Sequence, residues 1–132
     1  NHSGNNMIAY CFAEKTGYSK FGTYAGNGDV LGPFVYTGFK PAFIIIKNFQ
    51  QNDSWQMYDN KRLGYNVDNN TLHPDLTNAE STSDDLDILS NGFKIRRNVG
   101  VINNSNASYI FMAFAENPLV ANVGAGIPAT AR

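Results

Sequence analysis

Short apolar runs recur along the chain with turn residues between them, and none carries a sustained helical period. The runs are Met7–Phe12 (MIAYCF), Phe21–Ala25 (FGTYA), Pro33–Thr37 (PFVYT), Phe43–Lys47 (FIIIK), Trp55–Asp59 (WQMYD), Asp87–Leu89, Phe93–Arg97 (FKIRR), Val99–Ile102 and Tyr109–Ala115 (YIFMAFA). Their spacing predicts an all-β chain of about eight to ten strands in an antiparallel sandwich or barrel. Aromatic residues make up 13% of the 132 residues, which suits half-buried pleated surfaces. The 12 Gly and about 18 Asn suit turns, because both tolerate φ > 0. Gly26-Asn27-Gly28-Asp29 reads as one turn and Asn91-Gly92 as a hairpin signal.

The β-branched triplet of Phe43–Lys47 marks a central strand covered on both faces, and Pro41 can open it. In Trp55–Asp59, Trp55 and Met57 share one face and Gln56 and Tyr58 the other. The expected arrangement puts Trp55 in the core with Met57 and leaves Tyr58 as the exposed aromatic. Phe93 and Ile95 point inward, Lys94 and Arg96 outward. Between Asn60 and Asp85 the pattern lapses into a long polar segment, broken by a short strand at Tyr65–Val67 or a helical turn at Asn78–Ser81. Long irregular loops in small domains are often functional.

Residues 1–14 (NHSGNNMIAYCFAE) align without gaps on residues 103–116 (NNSNASYIFMAFAE). Identities fall at Asn1/Asn103, Ser3/Ser105, Ile8/Ile110, Phe12/Phe114, Ala13/Ala115 and Glu14/Glu116. Such a match implies a tandem module, with 1–14 as the last strand of a preceding copy; the alternative is an N-terminal strand of the same sandwich. Residues 15–118 then form the sandwich module. Residues 119–132, small and without period, are expected to be an extended tail draped over a neighbour.

The string GYSKFGTYAGNGDVLGPFVYTGFKPAFIIIK (Gly17–Lys47) resembles a repeated module of tailed-bacteriophage tail and fibre proteins. The Trp55/Asp59 pair, LSNGFK (Leu89–Lys94) and YIFMAFAENP (Tyr109–Pro118) add to the likeness, which spans roughly residues 7–118. The resemblance implies a concanavalin-A-like or jelly-roll sandwich in a virion tail or fibre, made in the host cytoplasm. It also implies a homo-oligomer, often a trimer, and partners among other virion proteins or a host cell-surface glycan or protein. Asn48-Phe49-Gln50-Gln51 departs from the more basic segment expected after the lysine-ended strand. No site residue follows from the likeness.

The residues themselves speak against catalysis. Only His2 and His73 could act as imidazole bases, both at loop or terminal positions, and no G-x-S-x-G elbow occurs. No E-x-D-x-E string of the kind sandwich glucanases carry occurs, and the nearest carboxylate spacing is Asp85-Leu86-Asp87. Cys11 reads as a small hydrophobe in mid-strand. Asp84, Asp85 and Asp87 read as a solvated strand entry, with a calcium site conceivable. Glu14 and Glu116 stand at equivalent strand ends, which favours a structural role. Gly26–Gly32 reads as a turn, without the helix and Lys-Ser/Thr of a phosphate loop. A net charge of −1 and pI near 6.1 speak against nucleic acid as a partner, and no apolar run suits membrane insertion. No cofactor or metal is expected.

Binding fits better. Trp55, Tyr58, Asp59, Asn60, Lys61, Arg62 and Tyr65 lie where a strand runs into the longest loop. Aromatic rings and planar polar groups of this kind recognise sugars. The chain therefore reads as a non-enzymatic adhesive module. A purely structural module for assembly is the alternative, and a polysaccharide depolymerase a more distant one.

Overall fold

The computed structural model describes residues 4, 6, 8–62, 66, 70–82 and 85–118. The tail 119–132 and Tyr65 and Val67 lie outside them. Seven strands are present among the described residues: β1 (Ser19–Ala25), β2 (Phe34–Tyr36), β3 (Pro41–Asn48), β4 (Gln56–Asp59), β5 (Leu86–Leu89), β6 (Gly92–Ile95) and β7 (Ser108–Ala115). They form two antiparallel sheets, ordered β1-β7-β3-β4 and β2-β6-β5. Between the sheets lies a core that includes Tyr24, Val35, Ile44, Ile46, Tyr58, Ile88, Phe93, Ile95, Tyr109 and Phe111. The all-β sandwich read from the spacing is what the chain forms. Rings join its layers: Phe93 of β6 stands edge-on to Tyr24 of β1 and Phe111 of β7.

Alternation places the strands well. Phe93 and Ile95 are fully buried, and Pro41 opens β3 as expected. The β5–β6 hairpin forms, but its two-residue loop is Ser90-Asn91, one position early, because Leu89 pairs Gly92. Gly92 belongs inside β6, where its Cα faces the Val35 carbonyl and the Phe34 ring. A methyl there would meet backbone, so Gly92→Ala should loosen the β2–β6 pairing and cost about 1–3 kcal/mol in a thermal melt. An unchanged melting temperature would refute this.

Three expectations fail, each for a reason that lies outside the local sequence. Residues 8–12 form no strand, and Cys11 is exposed rather than buried. The place between β1 and β3 that this sequence pattern fits is already taken by β7. Val99–Ile102 is no strand either: Gly100–Asn103 is one helical turn, α1. Its carbonyls are held by phenols, Tyr109 donating to Gly100 O at 2.6 Å and Tyr24 to Ile102 O at 2.8 Å. Finally, residues 78–80 carry no helical turn; Thr71 and Ser81 instead form a β-bridge.

The long loop also guards two sheet edges. Leu72 bridges Met57 along β4, and the Asn66 amide exchanges two 2.6 Å bonds with the backbone of Ile88 on β5. Such cover blocks edge-to-edge association on that side.

Candidate functional site

Trp55 and β4 set the orientation of the expected cluster. The faces alternate as read, but the inward face is the other one. Tyr58 is 1% exposed, and its hydroxyl donates to Asp85 Oδ2 at 2.8 Å. Gln56 is buried beside it, whereas Trp55 keeps 37% of its surface exposed. Tyr58 is therefore a core residue. The expected solvated entry at Asp85 is overturned with it. Asp85 is buried and also accepts from Thr71 Oγ1 and Arg97 Nη1, both at 3.1 Å.

The polar members are drawn together, as the sequence suggested, but Asp59 and Arg62 bind each other, Lys61 reaches outside the set, and the buried Asn60 Oδ1 has no hydrogen-bond partner among the described residues. Asp59 Oδ1 accepts the backbone N–H of Lys61 at 2.8 Å and of Arg62 at 2.9 Å, and Oδ2 accepts Arg62 Nε at 2.5 Å. Burial alone would raise the Asp59 pKa; the hydrogen bonds from Arg62 and the backbone outweigh it and hold the carboxyl below its usual range. Arg62 further bonds Glu80, Met57 O and Asn70 O, so its planar fork is spent on pinning the loop. Asn60 N–H donates to Ala42 O. Lys61 reaches Glu116 at 3.3 Å, where Lys40 also pairs at 2.7 Å. Hydrogen bonding from Lys40 is the main reason the Glu116 carboxyl sits below the usual range. Glu14, its counterpart in the repeat, pairs Lys20 at 2.7 Å, so both acids serve structure. His73 Nδ1 lies 3.2 Å from the Trp55 carbonyl. Among the described residues no three His, Cys, Asp or Glu side chains gather as metal ligands would.

What remains open around Trp55 is apolar. Strand pairing places Phe21 and Thr23 of β1, Ile110, Met112 and Phe114 of β7, and Phe43 and Ile45 of β3 on one face, away from the core. Met57 follows on β4. A shallow groove of about 470 Å³ runs across this outer face, lined by Phe21, Thr23, Ile45, Trp55, Ile110 and Met112. The signal was present in the sequence: β3 and β7 carry apolar residues at both parities, the pattern of strands covered on both sides. Only one of their faces is buried in the core.

A second cleft, of about 340 Å³, opens between the edge strands β1 and β2. Phe34 and Tyr36 stand exposed beside Lys20 and Thr23 there.

Comparison with known families gives a match over residues 1–118 to DUF7483, a domain of unknown function. The chain belongs to this family. The DUF7483 match takes in residues 1–14 together with the sandwich. No match was found among curated proteins or among solved structures.

Proposed function

We propose that this DUF7483 chain is a non-enzymatic module of a tail fibre or other virion appendage, and that it works by assembly through the outer face of its four-stranded sheet. One observation carries the choice of assembly over adhesion. Asp59 and Arg62 are bonded to each other and Lys61 pairs Glu116, so the charged groups expected to receive a sugar are engaged within the chain, while the exposed Trp55 stands in an apolar groove. Pyranose recognition needs polar groups free to meet hydroxyls, and apolar grooves of this kind suit protein surfaces. The virion setting rests on the resemblance of Gly17–Lys47, Leu89–Lys94 and Tyr109–Pro118 to phage tail and fibre modules.

Adhesion to a host glycan or protein is the second reading, favoured by the exposed Phe34 and Tyr36 at the β1/β2 cleft. Electron microscopy with gold-labelled antibodies against the chain tests the setting: label on a tail or fibre is expected, and label confined to free protein overturns it. Glycan-array binding lost on Tyr36→Ala would favour adhesion over assembly.

A further inference from the structure

We infer that the outer face of the four-stranded sheet docks on the same face of a second copy of this chain, β7 against β7. This deepens the proposed function, resting on its reading of that face as the working surface.

The observation behind it is the seat of Phe12. Residues 8–14 align on residues 110–116 of and just after β7 with four of seven identical, so that Ile8, Tyr10 and Phe12 fall on Ile110, Met112 and Phe114. In β7 these three are the outward positions. In the unpaired segment Ile8 and Tyr10 are each 80% exposed, so nothing holds them in a sheet. Phe12, still 58% exposed, is the one of the three that rests against the sheet. Its ring lies 6.0 Å from Phe21 and 6.0 Å from Phe114, both on the outer face. A residue with the sequence setting of an outward β7 position thus makes ring contacts with the outer face of β1 and β7 from one side. A second copy offers three such positions in a row, on a rigid strand.

The chemistry of the surface agrees. Phe21, Ile45, Ile110 and Met112 bring no charge to the groove, and Lys20, Lys40, Asp59 and Glu116 around it are each held in ion pairs, while Lys47, beside Ile110 on the same face, donates to the Asn48 and Gln51 carbonyls. Two such faces can meet over the apolar groove if Lys47, at the end of β3, stays at the rim of the contact where water reaches it. Isologous contact about a two-fold axis is the commonest way for one surface to close on itself.

Area sets the strength. Four strands about 4.8 Å apart and about seven residues long at ~3.3 Å each present roughly 450 Å². Stable complexes bury about 800 Å² on each partner. Separate copies therefore associate weakly, with a dissociation constant on the order of 100 µM. Copies joined in one polypeptide or one appendage would hold the same contact firmly, since effective concentrations then reach the millimolar range.

Trp55, the single tryptophan, sits in the groove and reports on it. Sedimentation equilibrium of the 132-residue chain from 10 µM to about 1 mM should show a monomer passing to a dimer. Over the same range Trp55 emission should move to shorter wavelength and its quenching by acrylamide should fall. Ile110→Lys should weaken the dimer at least tenfold, whereas Tyr36→Lys, at the β1/β2 cleft, should leave it unchanged. The quenching measurement on the unaltered chain stands even if Ile110→Lys fails to fold. A chain still monomeric at about 1 mM overturns the inference; if its Trp55 is already shielded, residues 119–132 are the occupant. A trimer, or a dimer that survives Ile110→Lys, overturns it as well. Monomeric chain combined with gold label on a tail or fibre removes this inference and leaves the proposed function standing. A dimer without such label does the reverse.

Discussion

Phe93→Ala should lower the free energy of unfolding by about 4 kcal/mol. The side chain is fully buried on β6, and its ring meets Phe111 at 5.5 Å and Tyr24 at 6.2 Å, both edge-on. Those neighbours belong to the other sheet, each fixed by its own ladder across the β1–β7 pair. Gly22 lies under the Phe111 ring and Tyr109 stacks on Tyr24 at 4.9 Å, so neither ring can slide into the gap. A cavity that cannot collapse puts a large-to-small change at the costly end of its range. Domains of this kind have roughly 5–15 kcal/mol in all, so the substitution should move the urea midpoint a long way toward zero. Phe93→Leu keeps most of the volume and should lose less than about 1.5 kcal/mol. A loss below about 1 kcal/mol for Phe93→Ala would mean that the sheets do not share this ring.

Strand existence was readable wherever apolar alternation and β-branching coincided, as in β3, β6 and β7. Pairing was not, because a sequence states a preference for extended backbone and leaves the partner open. Residues 8–14 show the difference: four of seven match residues 110–116, but β7 already occupies the place between β1 and β3. The turn at Gly100–Asn103 shows it again, since the phenols that hold its carbonyls come from Tyr24 and Tyr109. For the candidate site, the neighbourhood of Asp59, Lys61 and Arg62 was legible as a cluster. Its use was not, because Glu80, Asn70 and Glu116, which consume its donors, lie outside the local pattern. The two-sided apolar character of β3 was legible and led to the expectation of cover on both faces, but among the described residues only the inner face is covered.

The inversion of Trp55 and Tyr58 leads to the other large effect, at Asp85. Alternation fixed which side chains share a face, and a buried hydrogen bond decided which face turns inward. Tyr58 can be buried because Asp85, 27 residues later, accepts its hydroxyl proton at 2.8 Å. The same carboxylate oxygen accepts from Thr71, and the other oxygen from Arg97. Asp85→Ala takes that acceptor from two buried hydroxyls at once and should destabilise the fold by about 3–5 kcal/mol. Little of this comes from Arg97, whose half-exposed guanidinium is largely screened by water. Tyr58→Phe, which leaves Thr71 and Arg97 on Asp85, should lose only about 1–2 kcal/mol. Combined, the two changes should fall short of additivity by at least about 1 kcal/mol, since both remove one bond. Burial, reinforced by the Asp85 charge, pushes the Tyr58 phenol well above its ordinary value. A group whose pKa is raised in the fold contributes its full stability below the unfolded value, about 10, and loses that contribution as pH climbs beyond it. Urea midpoints of the unaltered chain should therefore fall above about pH 10, and fall less steeply in Tyr58→Phe. Equal alkaline slopes for the two proteins, or an Asp85→Ala chain within about 0.5 kcal/mol of the unaltered one, would show that this bond does not hold Tyr58 inside.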